Sequence, residues 1–315
     1  MSNFVCSLKQ MKTTLFFLFF TAVLVACNPA PKETVVQQKE ICMTPLAIPV
    51  LPDEIVFCGQ TVNLKDEDIR ERLDREILVN AYYQSATLQA LKRANRFFPV
   101  IEPILKEKGI PDDFKYLAVI ESNLVQAVSP AGAQGFWQFM PGTAKEHGLI
   151  MNGEVDERLN IEKSTAAACD YLTFAHDTLK DWVLAAASYN RGIGGVRSDM
   201  RWQGTTNYFD THMNSETGRY VYRILAMKLI FEDPEAYGYN LEETELYEPF
   251  KTTAVTVRSS IDNLAEWSQN KGINYKILIK LNPWILGNKL TVKKVPFKIK
   301  LPHKTFNLKP YEAYQ

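Results

Sequence analysis

What the chain lacks narrows it first. Its five cysteines and four histidines are scattered through 315 residues with no spacing that suits a metal, so neither a metal nor a cofactor is expected. Formal net charge is zero and the pI is near 6.9, so there is no global basic signal for nucleic acid. Gly192, Gly194 and Gly195 follow a helical stretch rather than a strand and make no dinucleotide fingerprint. Strand-type alternation is nearly absent before Phe250.

The main apolar run is N-terminal and short. In "MKTTLFFLFFTAVLVAC" a Lys follows a start at Met11, residues 15–26 are apolar, and Cys27 comes next. That length suits a signal-peptide core better than a bilayer span. Leu24-Val25-Ala26-Cys27 resembles the bacterial lipobox, in which small residues precede a Cys that becomes lipid-modified and N-terminal. Residues 1–26 are therefore read as a lipoprotein signal peptide and Cys27 as the lipidation site. The expected location is the periplasm, lipid-anchored; Asn28, rather than Asp, points to the outer-membrane class of a Gram-negative bacterium. Cys42 and Cys58 would lie in an oxidising compartment, where a disulfide is one option. Cys169, in "TAAACDYL", reads as a small core residue.

Residues 28–52 are rich in Pro and polar residues without periodicity, and the span 27–63 is read as a tether. From about Asp66 the pattern is helical. Helices broken near Pro99 and Pro103 end at Gly109, and another starts after Pro111 with Asp112 and Asp113 in its first turn. "GFWQFM" reads as a short aromatic helix stopping before Pro141. Asn160 is the N-cap expected for "IEKSTAAACDYLTFAHDTLK", Gly192 closes "DWVLAAASYNRG", and Ser215 is expected to cap the last long helix. After Phe250 the order changes to strand, two short helices and strand. The expected fold is mainly α, a helical domain at 64–249 with a small β-α-α-β module at 250–315. Between Lys251 and Pro310 twelve Lys and Arg face two acids, Asp262 and Glu266. This is either a solvated lysine-rich face or a surface for an anionic polymer or membrane.

One letter breaks the helical pattern. In "DDFKYLAVIES", Phe114, Leu117 and Ala118 lie at i, i+3 and i+4, and the next place on that apolar stripe is Glu121. A carboxylate there is costly unless it is paired or used. Taken alone, such a Glu is more often paired with Arg or backbone amides than catalytic, and "GFWQF" alone is more often core.

The order of four blocks changes that weighting. "ES", "AGAQGFWQFMPGTA", "DWVLAAASYNRGIGG" and "ETGRYVYRILA" together resemble the catalytic domain of the family-1, soluble-type lytic transglycosylases, nearest the membrane-bound D type, over roughly residues 64–238. These enzymes cleave the glycan strands of bacterial peptidoglycan. The resemblance implies a lysozyme-like helical fold with Glu121 as the single catalytic acid and Ser122 beside it. It places Gly135 and Gln138 in the G-x-x-Q block lining the saccharide cleft. Tyr189 and Asn190 match the A-Y-N-x-G block, and Tyr220 matches the late cleft tyrosine near the acid. Two departures stand out: Ser188 replaces the usual Ala, and Tyr222 stands where many members have Pro. The C-terminal unit resembles a degenerate LysM module, with Ser259-Ser260-Ile261-Asp262 in place of its Gly-Asp-Thr turn.

The residue types suit that chemistry. An acid that protonates a leaving oxygen near neutral pH must hold its proton above its solution pKa, and burial against aromatics such as Phe136 and Trp137 would raise it. Most glycosidases also need a second carboxylate, yet none of Asp112, Asp113, Glu146, Glu154 or Asp156 belongs to a block. In this family the substrate supplies the nucleophile, closing to a 1,6-anhydro ring without water. The expected function is therefore non-hydrolytic cleavage of the MurNAc-GlcNAc β-1,4 bond, with glycan strands and an anchoring membrane as partners. The alternatives are a hydrolytic muramidase of goose-type lysozyme kind and a catalytically silent wall-binding lipoprotein.

Overall fold

In the computed structural model, which describes residues 50–305, the first element is a hairpin where a tether was expected. Strands β1 (Glu54–Phe57) and β2 (Gln60–Asn63) pair antiparallel with Glu54 opposite Asn63. Cys58 and Gly59 between them both have positive φ, 50° and 81°, as a two-residue type I′ turn requires. Ile55, Phe57, Val62 and the following Leu64 enter the main core. The alternation in "EIVFCGQTVN" gives the hairpin one apolar face, so residues 54–63 are part of the folded domain. The signal peptide expected at 1–26, the expected lipidation site Cys27, Cys42 and residues 306–315 lie outside the described residues.

Helix α1 (Glu67–Tyr82) packs along α8 (Thr217–Glu232), and α2 (Gln84–Glu107) packs on α5 (Ile161–Leu179). Contrary to expectation, α2 runs unbroken through Pro99 and Pro103. Both prolines are exposed and four residues apart, so the carbonyls deprived of a donor share the solvent face, where water can satisfy them. A 3-10 turn over Asp112–Phe114 leads into α3 (Lys115–Ser122), in the middle of the core. Phe114, Leu117 and Ala118 are fully buried there, as the apolar stripe required.

After α3 the "GFWQFM" segment is a turn, not a helix. Gln134 bridges to Phe139 across it, and Gln138 sits at φ 46°, a conformation no helix interior accepts. Trp137 is fully buried and its Nε1 donates to Thr165 Oγ1 at 2.9 Å, so these aromatics are core. Then follow α4 (Pro141–Glu146), α5 with Asn160 as its N-cap, α6 (Trp182–Arg191), Gly192 at φ 74°, and α7 (Ile193–Gln203). Glu216, not Ser215, is the N-cap residue of α8, and it makes no side-chain cap hydrogen bond; just upstream, Asn214 Oδ1 accepts from the amides of Glu216 and Thr217 at 3.1 and 2.8 Å. Ser215 lies one residue before that cap position, and the Asn214 side chain already serves the amides two and three residues ahead of it.

The C-terminal module has the expected order, β3 (Thr252–Val257), α9 (Leu264–Asn270), α10 (Tyr275–Leu281) and β4 (Phe297–Pro302), with β3 antiparallel to β4. Its core is shared rather than private. Val155 and Leu159 of the helical domain pack into the cluster of Leu264, Leu278, Trp284 and Ile299. No helix among the described residues is long and apolar enough to cross a membrane.

Candidate active site

Helix α3 stops abruptly just past Glu121. Asn123 and Leu124 are both left-handed, at φ 50° and 55°, an uncommon pairing for residues other than glycine. Packing holds it: Leu124 is buried, and Arg93 Nη1 donates to the Asn123 carbonyl at 3.2 Å. The Glu121 carboxyl is thus carried on the last helical turn, half-buried, on the stripe that Phe114, Leu117 and Ala118 bury.

Helix α8 supplies its partner. The hydroxyl of fully buried Tyr220 donates to Glu121 Oε1. Burial raises the Glu121 pKa above the ordinary carboxylate range; the Tyr220 hydrogen bond and the Arg223 cation pull it down, Glu216 pushes it up, and the net shift is upward. Arg223 is steered by the Ile120 carbonyl, to which Nη2 donates at 2.7 Å. Tyr222, two residues on, points elsewhere and packs against Tyr208 and Phe209 at ring separations of 5.9 and 6.0 Å. The 3.6-residue period separates the two tyrosines as expected.

The other blocks converge on the same neighbourhood through hydrogen bonds, most of them to backbone carbonyls. Tyr189 donates from its hydroxyl to the Trp137 carbonyl at 2.8 Å, and its own phenol is held well above the usual pKa by burial and by Glu121. Asn190 donates from Nδ2 to Glu216 Oε1 at 2.9 Å and accepts from Thr217 Oγ1 at 2.7 Å. Gln138 Nε2 donates to the carbonyls of Gly135 and Ala127 at 2.7 and 3.1 Å. Ser122 is buried; its Oγ lies 3.0 Å from both the Phe136 and Ala118 carbonyls, tying α3 to the Gly135 turn.

Sequence reasoning missed Glu216 and Arg223, the two charges that bear on Glu121. Both lie in "ETGRYVYR", and Glu216 precedes Tyr220 by one helical turn on the same face, which was the available signal. Four of the five carboxylates weighed as second acids are engaged elsewhere: Asp112 with Lys115, Asp113 with Lys228, Glu154 with Lys289 and Asp156 with Arg158; the fifth, Glu146, is exposed at the end of α4. Among the described residues no group of His, Cys, Asp and Glu is arranged to hold a metal ion. A separate cavity of about 430 Å³ lies between the helical domain and the C-terminal module, lined by Arg96, Phe97, Phe136, Trp284 and Lys300.

Two segments of the chain match known family models. Residues 99–211 match the family model described as the transglycosylase SLT domain, and residues 253–305 match the soluble lytic transglycosylase C-terminal LysM-like domain. Membrane-bound lytic murein transglycosylase D of Escherichia coli K12 is 27% identical over 243 residues, 74% of this chain but 52% of that protein. The chain thus spans about half the length of this curated relative. Among solved structures, the 70 kDa soluble lytic transglycosylase SLT70 of Escherichia coli aligns with a TM-score of 0.38 at 21% identity, covering 59% of this chain and 34% of that one. The lytic transglycosylase Slt of Pseudomonas aeruginosa aligns with a TM-score of 0.37 at 19% identity, covering 59% and 36%.

Proposed function

We propose that this chain, which carries a transglycosylase SLT domain and is homologous to membrane-bound lytic murein transglycosylase D, is a peptidoglycan lytic transglycosylase. It cleaves the MurNAc-GlcNAc β-1,4 bond with Glu121 as acid and then base. The observation that carries the reading is the pairing of Glu121, its pKa raised by burial, with the Tyr220 hydroxyl, while Asp112, Asp113, Glu154 and Asp156 are paired away. Glu121 protonates the leaving oxygen, then takes the proton of the muramic acid primary hydroxyl as that oxygen closes on the anomeric carbon, leaving a 1,6-anhydro end. Gly135, Gln138, Tyr189 and Asn190 bind the saccharide, and Ser122 fixes the turn beside it. The catalytic domain begins at the β1–β2 hairpin, residues 250–315 form the LysM-like module, and Cys27 carries the lipid that holds the enzyme at the outer membrane.

Hydrolysis by water is the second reading, and Glu216 is what favours it, as a carboxylate that bears on Glu121. Its hydrogen bond to Asn190 favours instead a role in orienting that side chain. Mass spectrometry of peptidoglycan digested by wild type and Glu121→Gln separates these readings. Anhydromuramyl ends from wild type and none from the variant are expected. Reducing ends would identify a muramidase, and equal release by both would remove Glu121 as the acid.

A further inference from the structure

Arg158 takes no part in the chemistry above, yet it is among the most heavily hydrogen-bonded side chains described. It is buried, and its guanidinium donates to the carbonyls of Gly132 and Phe139 at 2.9 and 3.1 Å and to Gln134 Oε1 at 2.7 Å. Nε and Nη2 also donate to the Asp156 carboxylate at 3.0 and 2.7 Å. Three of these acceptors belong to the 132–139 turn that carries Gly135 and Gln138. The Arg158 carbonyl closes against the same turn: a Cβ on Gly135 would fall 2.1 Å from it.

The loop bearing Arg158 is itself fastened to the C-terminal module. Val155 bridges to Ile285, the Asp156 amide donates to the Trp284 carbonyl at 2.9 Å, and the Leu286 amide donates to the Glu154 carbonyl at 2.9 Å. Glu154 accepts from the Thr291 amide at 2.7 Å and pairs with Lys289, and its carboxyl pKa is lowered by those contacts. A continuous path of hydrogen bonds therefore runs from the module through residues 154–158 to the Gly135 turn. Val155 and Leu159 add apolar packing along it.

We infer that Arg158 is a positioning residue for the saccharide-binding turn, and that the LysM-like module braces that turn through residues 154–158. This rests on the peptidoglycan reading for the identity of the ligand, but not for the mechanics. A planar guanidinium can serve a carboxylate and three diverging acceptors at once, whereas an ammonium cannot. Charge alone does not do this work.

Arg158→Lys and Glu154→Ala, each in the full chain, test it by amide hydrogen exchange and by titration with an N-acetylglucosamine tetrasaccharide. In Arg158→Lys, exchange across residues 128–139 is expected to quicken and the dissociation constant and KM to rise roughly tenfold or more. The pH at which Glu121 loses its proton should stay where it is. Glu154→Ala, at the exposed end of the path, should quicken exchange in the same residues to a smaller degree. A merely structural role would lower melting temperature and the active fraction, hence apparent kcat, at unchanged KM. Wild-type exchange at 128–139 in Arg158→Lys, or loosening in Glu154→Ala that stops inside the module, would overturn the inference. Failure of wild type to bind the tetrasaccharide or cleave peptidoglycan would instead sink the proposed function, while the exchange data still decide the bracing.

Discussion

The Tyr220 hydroxyl and the Glu121 carboxylate are hydrogen-bonded across 99 residues of sequence, joining α8 to the end of α3. Because the phenol donates to the carboxylate, it favours the ionised form and opposes the desolvation that raises the acid. Removing it has a definite sign. In Tyr220→Phe the Glu121 pKa should rise further, moving the alkaline limb of the pH–rate profile upward. The maximal rate should fall roughly ten- to a hundredfold as the acid loses its fixed orientation. An unmoved alkaline limb would show that Glu121 does not set it.

Glu121→Gln should remove activity and also change stability, by an amount that depends on pH. Burial raises the native pKa of Glu121, so the native state holds this proton more tightly than the unfolded chain does. That preference is whole below the unfolded value of about 4.3 and is lost as pH rises through the native pKa. The amide does not titrate. Urea denaturation at a series of pH values should therefore show the variant gaining on wild type as pH climbs. A constant difference would mean Glu121 titrates like an exposed acid.

What was legible in the sequence followed period and order. The apolar stripe of α3, the N-cap Asn160 and the closing Gly192 were all readable because each depends on residues within one or two turns. The four blocks placed Glu121 and Tyr220 together although neither period nor spacing could. The misses have tertiary causes. Hairpin 54–63 is short and directly follows a Pro-rich stretch, so its brief alternation was read as part of the tether, and its packing on the core shows otherwise. The prolines of α2 were read as breaks because their exposure was unknown. Glu216 and Arg223 act on Glu121 from the start and body of α8, and the sequence hinted at this only through the spacing of Glu216 to Tyr220.

Asp113 illustrates how a residue suited to a helix start does another job. It accepts from the Cys58 amide at 2.6 Å and pairs with half-buried Lys228 at 2.6 Å, so it pins the hairpin and α8 to the start of α3. Asp113→Ala leaves an amide without its acceptor and strips Lys228 of one of two carboxylates, the other being Glu232. The expected loss is about 2 kcal/mol, measured by urea denaturation. Asp112→Ala, which removes an exposed pair with Lys115, should cost under about 1 kcal/mol. Equal costs for the two would contradict the pinning role.

Gly135→Ala is the severest single-methyl change the site offers, for two independent reasons. Its φ of 84° lies where an L-residue is strained, a cost of about 1–2 kcal/mol. The added Cβ would also fall 2.1 Å from the Arg158 carbonyl oxygen, which is backbone and cannot swing aside. Relief requires the turn and the 154–158 loop to separate, adding about 1–3 kcal/mol. Gly132→Ala supplies the control: its φ is similar, 86°, but a Cβ there meets nothing within 4 Å. The two variants share the backbone strain and differ in the collision, so Gly135→Ala should be the less stable and should lose saccharide affinity, while Gly132→Ala loses stability alone. Parity between them would mean that the contact with Arg158 does not hold the turn in place.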